Sequence, residues 1–229
     1  MGRINVAALM MEAFGTFFFV LTINSVHALV PMHMNALSAP FAIGFSRVLL
    51  TFIGGHVSGA HYNPANTLAL LISAKVDWLH AIIYVGIHTA AAFCSGWLVY
   101  GLFDHTYAPG PGPLFKWYHA FVVELLWSFI EASAATHTLQ HPTKPRAFYG
   151  FTLGLVYVVG NALFSNVSGA VFNPAFSIGT TLVHIMAGNN KGEGATAKYI
   201  YIYLVAPTIG GGMAGLYHQV VKTFKDKKS

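Results

Sequence analysis

The chain has 229 residues, 55% of them hydrophobic and only 8% charged. A soluble domain carries about a quarter charged residues, so twelve basic and seven acidic side chains are too few to coat a globule of this size. The apolar content equally excludes a disordered chain. The formal charge of +5 does not imply nucleic-acid binding. The charges sit at the ends of apolar runs rather than in one basic stripe. The single cysteine, Cys94, allows no intrachain disulfide. As a small apolar residue it is expected to be buried.

A helix needs about 20 mainly apolar residues to cross a bilayer core. Six such runs follow one another: Val6–Val30, Ala36–Gly55, Trp78–Phe103, His119–Leu139, Ala147–Phe164 and Tyr199–Val221. The first is too long, and too interrupted by Glu12, for a cleaved signal peptide. Two shorter apolar runs, Pro64–Ser73 and Pro174–Met186, follow the second and fifth. They are too short to span and read as re-entrant half-helices. Such segments are tolerated in a membrane only inside protein or against a water-filled cavity.

Short flanks rich in Lys and Arg mark the cytoplasmic side. With the N-terminus inside, Arg3, Lys75, Lys144, Arg146, Lys222, Lys225, Lys227 and Lys228 fall inside, against Lys116, Lys191 and Lys198 outside. Both termini are therefore expected on the cytoplasmic, or equivalent inner, side. The basic tail is expected to be a solvated flank next to membrane lipid.

The sequence repeats itself. Val57-Ser58-Gly59-Ala60 and Asn63-Pro64-Ala65 recur 110 residues later as Val167-Ser168-Gly169-Ala170 and Asn173-Pro174-Ala175. Glu12 recurs as Glu124 at an offset of 112. Three spans per copy is an odd number, so the second copy must insert upside down. The expected fold is an all-α membrane protein of six transmembrane helices and two half-helices. It is one domain, 1–229, built as an inverted three-helix repeat (1–108 and 114–229) with its site at the midplane. Pro109–Pro113 reads as a stiff loop joining the copies.

Asn-Pro-Ala suits the start of a half-helix. Pro is favoured at the first helical position and Asn is a good N-cap. Two such helices, inverted, meet nose to nose. Their dipoles then place roughly half a positive charge each at one spot, which repels cations. The amides of Asn63 and Asn173 are available to a passing neutral solute.

These motifs resemble the aquaporin, or major intrinsic protein, family. The resemblance runs over nearly the whole chain. It includes Glu12-Ala13-Phe14-Gly15-Thr16, the stretch Gly55 to Ala65, and Pro207-Thr208-Ile209-Gly210-Gly211. It implies a passive channel in every subunit, a homotetramer, and neither enzyme activity nor a cofactor. Glycerol-conducting members usually carry an Asp soon after the second motif. Here Ser177 follows, which favours the water-type branch. The resemblance also implies that Glu12 and Glu124 accept hydrogen bonds from the re-entrant loops, with His61 a candidate partner of Glu12.

The chain departs from the family at the narrow filter. Counted from the two motifs, its positions are Ile43, Asn161, Ala170 and Phe176. Ala170 fits, but the family's Arg is replaced by Phe176, its usual aromatic by Ile43 and its usual His by Asn161. Two charges stand where the lining is normally apolar. Arg47 lies one turn beyond Ile43, and Glu131 two turns beyond Glu124. Phe19 and Tyr157 are expected beside them. Intramembrane charges normally face a partner or water, so an Arg47–Glu131 contact across the pore is expected. Two functions follow: a channel for water or another small neutral solute, or a narrowed, non-conducting structural subunit of a larger membrane assembly, plugged by that pair. A proton-linked transporter titrating Glu131 is a third. Twelve scattered His form no metal-ligand pattern, so no metal is expected.

Overall fold

The computed structural model describes residues 4–29, 38–139, 146–188 and 196–227. Arg3, Lys144, Lys191 and Lys228, used above for orientation, lie outside the described residues, as do Val30 and Ala36 at the predicted span ends. Eight α-helices follow in order: α1 (Val6–Leu29), α2 (Ala39–Gly54), α3 (Pro64–Ile72), α4 (Trp78–Phe103), α5 (Trp117–Thr138), α6 (Arg146–Ser168), α7 (Pro174–Met186) and α8 (Ile200–Asp226). The described residues contain no strand.

Helices α1, α4, α6 and α8 are long and apolar enough to cross a membrane by themselves. Helix α5 has the length, at 22 residues, but its two glutamates and two histidines make it less apolar. Helix α2 has 16 residues, about 24 Å at 1.5 Å per residue. Together these six are the spans, and α3 and α7 are the half-helices.

Packing repeats as the sequence does. Helix α1 packs on α4 as α5 does on α8, and α1 on α2 as α5 on α6. Half-helix α3 lies against α8 while α7 lies against α4, so each copy's half-helix is held partly by the other copy. The α2–α6 crossing is close because it is lined by glycine. A Cβ on Gly154 would stand 2.6 Å from the Gly44 carbonyl, and one on Gly44 equally close to the Gly154 carbonyl. The joining loop lies on the end of α6, where Gly112 N–H donates to the Val167 carbonyl at 3.0 Å.

Cys94 faces outward from α4 and is exposed, contrary to expectation. The apolar requirement holds on both faces of a helix in lipid, so hydrophobicity alone did not assign it inward. Large apolar side chains such as Phe41, Phe45, Leu126 and Leu155 are likewise exposed, as expected of a lipid-facing surface.

Candidate functional site

The two re-entrant loops are built alike. In the first, Glu12 accepts from the Ser58 hydroxyl (2.6 Å), His61 N–H (3.0 Å) and Tyr62 N–H (2.8 Å). In the second, Glu124 accepts from the Ser168 hydroxyl (2.7 Å), Val171 N–H (3.0 Å) and Phe172 N–H (2.6 Å). These bonds hold backbone that has no helix or sheet to satisfy it. They also hold strain. Ala60, Tyr62, Ala170 and Phe172 have φ of 49°, 50°, 51° and 53°, a left-handed region uncommon for residues other than glycine.

His61 joins Glu12 through its backbone only. Its ring Nδ1 pairs with the Thr67 hydroxyl at 3.0 Å, because the loop turns the ring toward the half-helix it precedes. The histidine side chain on Glu12 is instead that of His88 of α4, its Nε2 2.7 Å from the carboxylate. His88 has no counterpart in the second copy and was missed in the sequence, where a His in mid-helix gives no local signal.

The loops aim the half-helices at each other. Asn63 and Asn173 cap α3 and α7, accepting from Ala65 N–H (2.8 Å) and Ala175 N–H (3.0 Å). Each amide then donates across the twofold. Asn63 Nδ2 reaches the Phe172 carbonyl (2.8 Å) and Asn173 Nδ2 the Tyr62 carbonyl (2.9 Å). The N-termini of α3 and α7 therefore meet, with Pro64 and Pro174 at their first positions.

Here the halves part company. Asn63 has a second acceptor, Glu131 Oε2, at 3.1 Å. The same carboxylate accepts from the Tyr157 hydroxyl at 3.0 Å, and its other oxygen from Asn66 Nδ2 at 2.6 Å. Asn66 occupies in the first copy the place that Phe176 has in the second. That correspondence is legible from the 110-residue repeat.

Arg47 and Glu131 form no direct salt bridge, and the guanidinium acts on the carboxylate only through space. The guanidinium Nη2 donates to the carbonyls of Ala60 and His61, both at 3.0 Å. Its plane lies near two aromatic rings, 5.0 Å from the centroid of Tyr62 and 5.5 Å from that of Phe19. Its Nε and Nη1 have no hydrogen-bond partner. The physical reason is local. The left-handed loop turns two carbonyls toward Arg47, and hydrogen bonds to a charged group are worth about 1.5–3 kcal/mol each. Asn63, Asn66 and Tyr157 meanwhile saturate Glu131. Each charge finds its nearest partners among neutral dipoles and ring faces, with Arg47 left only partly hydrogen-bonded.

The four residues expected at the filter are all buried. Ile43, Ala170 and Phe176 fall in one apolar cluster with Phe19 and Tyr157, and Phe19 meets Tyr157 edge-on at 4.8 Å. Asn161 turns its amide back to the Tyr157 carbonyl at 3.0 Å. From Arg47 and Glu131 through both Asn-Pro-Ala motifs' asparagines to Phe176, no predicted lining residue is more than 4% exposed. A continuous path for water would expose its lining to a water-sized sphere.

On the side of the α1 N-terminus a cavity of about 1130 Å³ is lined by Asn5, His56, His61, Lys75, His80 and Tyr149, among others. It reaches Thr51, whose hydroxyl donates to the Arg47 carbonyl at 2.7 Å. Arg47 itself is not part of its wall. At the cavity rim, Asp77 caps α4 and pairs with His80 at 2.6 Å. The His80 N–H groups hold the Asp77 carboxyl below its ordinary range.

Half-helices meeting N-terminus to N-terminus inside an inverted six-helix bundle define a channel-type membrane protein. The family model for the major intrinsic protein family matches residues 3–218. Among relatives, the chain is 25% identical over 224 residues to "Putative aquaporin NIP4-1" of Arabidopsis thaliana, covering 96% of this chain and 75% of that one. It is 29% identical over 193 residues to "Aquaporin NIP1-4" of Oryza sativa subsp. japonica, covering 81% and 65%. Its fold is similar to that of the aquaglyceroporin from Plasmodium falciparum, with a TM-score of 0.84, 19% identity, and coverage of 97% and 99%. The chain belongs to the major intrinsic protein family. It is a multi-pass membrane protein of a family of passive small-solute channels, and not an enzyme.

Proposed function

We propose that the protein is a passive, uncoupled channel for a small neutral solute whose axial path is closed by Arg47 and Glu131. One observation carries this reading: Asn63, the amide that would guide a solute in the first copy, already donates both its hydrogens, to Phe172 and to Glu131. The placement of Arg47 on the Ala60 and His61 carbonyls supports it, because those acceptors are then unavailable to a solute. The burial of Ile43, Asn161, Ala170 and Phe176 supports closure of the outer half.

In this reading the converging half-helix dipoles and the Arg47 charge exclude cations and protons. Phe176 leaves the outer filter without a cation of its own. The chain acts as one domain of two repeats, in a homotetramer, with both termini on the inner side of the membrane. Neither metal nor cofactor takes part.

Stopped-flow swelling of proteoliposomes tests it, with water, peroxide, ammonia and glycerol compared. Wild-type protein is expected near the permeability of empty liposomes, and Arg47→Ala well above it. Fast water flux through the wild type would overturn the closed reading and leave an open channel. No flux through any folded variant would leave the structural-subunit reading instead.

A further inference from the structure

The internal symmetry relates places as well as residues. The Tyr84 hydroxyl donates to the Ser58 carbonyl (3.4 Å) and the Tyr203 hydroxyl to the Ser168 carbonyl (2.6 Å). This sets α4 and α8 in register at a separation of 119 residues. With α1 matched to α5 at 112 and the half-helices at 110, the junction of α1, α4 and α7 maps onto that of α5, α8 and α3. Asn24 then maps onto Thr136, Gly96 onto Gly215, and Val183 onto Ser73.

Near the second of these junctions Lys75 reaches back from beyond the end of α3 to the end of α5. Lys75 Nζ donates to the carbonyls of Thr136 (2.7 Å) and Leu139 (3.0 Å). In the other copy α7 runs on to Met186 where α3 stops at Ile72, so Ile185, at the same 110-residue offset as Lys75, is still helical and brings no donor. A cavity of about 10 Å³ lies at the first junction, lined by Asn24, Gly96, His105, Tyr107, Thr180 and Val183 among others. Asn24 is 3% exposed. Neither its amide oxygen nor its nitrogen has a protein partner, and the same holds for Nε2 of His105. The Thr180 hydroxyl donates to the Phe176 carbonyl at 2.8 Å, leaving its own lone pairs to accept.

We propose that this junction is a binding site for one ordered water molecule, which bridges the Asn24 amide to His105 Nε2. The size fits, since one water needs roughly 10–15 Å³ measured this way together with two to four polar partners. The chemistry fits as well, since Asn24 offers both a donor and an acceptor. The water ties the loop carrying His105 to α1. Tyr107 on that loop stacks on His27 at 3.7 Å and lies 6.0 Å from the Phe176 ring. The site thus holds the segment that covers Phe176.

The test is a water-resolving cryo-electron-microscopy map of the protein in lipid nanodiscs, in ammonium-free buffer. The expected result is a single peak within about 3.2 Å of both the Asn24 amide and His105 Nε2, absent in Asn24→Leu. Should that variant fail to fold, His105→Phe removes the other arm from the loop and is expected to lose the peak too. An empty junction, a direct Asn24–His105 hydrogen bond, or a peak that appears only after ammonium is added would overturn the proposal. The readout is independent of solute flux.

Discussion

Asn63 and Glu131 share a hydrogen bond of 3.1 Å at the point where the two half-helices meet. It links a carboxylate of α5 to the cap of α3, and no equivalent exists in the other copy, where Asn173 matches Asn63 but Phe19 stands in the place of Glu131. One half of the protein therefore carries a polar knot and the other an apolar one. Glu131→Leu is expected to lower stability strongly, since the donors of Asn63, Asn66 and Tyr157 lose their acceptor and each buried orphan costs about 1–3 kcal/mol. Glu131→Gln keeps one acceptor and is expected to be milder. Thermal unfolding in detergent checks the order, and a Glu131→Leu protein as stable as wild type would contradict it.

Arg47 separates size from charge. Arg47→Ala removes both, whereas Arg47→Met keeps much of the volume. If bulk closes the path, Ala raises water permeability by about tenfold or more, equivalent to about 1.4 kcal/mol off the barrier, and Met changes it little. Equal gains from both would assign the block to charge alone.

Glu124 holds the second loop with three hydrogen bonds and has no histidine behind it. Glu124→Ala leaves the N–H groups of Val171 and Phe172 buried without a partner, at about 1–3 kcal/mol each. Loss of the folded monodisperse peak in size-exclusion chromatography is the expected outcome. Glu124→Gln, which retains an acceptor, should recover part of it.

Gly154 sits where α6 crosses α2. A methyl there meets the Gly44 carbonyl at 2.6 Å, and backbone cannot swing away as a side chain can. Gly154→Ala is expected to destabilise by about 1–3 kcal/mol, the usual cost of overpacking. Gly86, with open space around it, is the control, and Gly86→Ala should leave the melting temperature unchanged or raise it.

Asp77 has its pKa depressed, first by its hydrogen bond from the His80 backbone. A group depressed in the folded state stabilises fully above its unfolded pKa, about 3.9, and loses that contribution as pH falls through the lower folded value. The melting-temperature gap between wild type and Asp77→Ala should therefore hold from neutral pH to about pH 5 and close below about pH 4. A gap that stayed constant to pH 3 would rule out the carboxylate as its source.

The architecture was legible because the repeat is written in residues that have little other use. Asn-Pro-Ala twice, with a glutamate at matched distance each time, specifies two capped half-helices and the carboxylates that hold them. Side-chain direction was less legible. Arg47 and Glu131 were rightly singled out as charges in a span, but spacing along one helix does not say which neutral groups lie nearer than the opposite charge. The Ala60 and His61 carbonyls turn toward Arg47 only because the loop is left-handed there. Asn66 and His88 look ordinary in sequence, and their roles come from partners 65 and 76 residues away.

The wide cavity that ends near Thr51 also shapes the electric field. Water in it is a conductor by comparison with packed protein, so the potential of the adjoining solution extends to its floor. The potential then falls across the packed protein beyond that floor, where Arg47 and Glu131 are buried. An elementary charge crossing the full potential gains about 2.3 kcal/mol per 100 mV. Here that work falls on the packed part of the protein, where the ionisable side chains Glu12, Arg47, Glu124 and Glu131 are all buried.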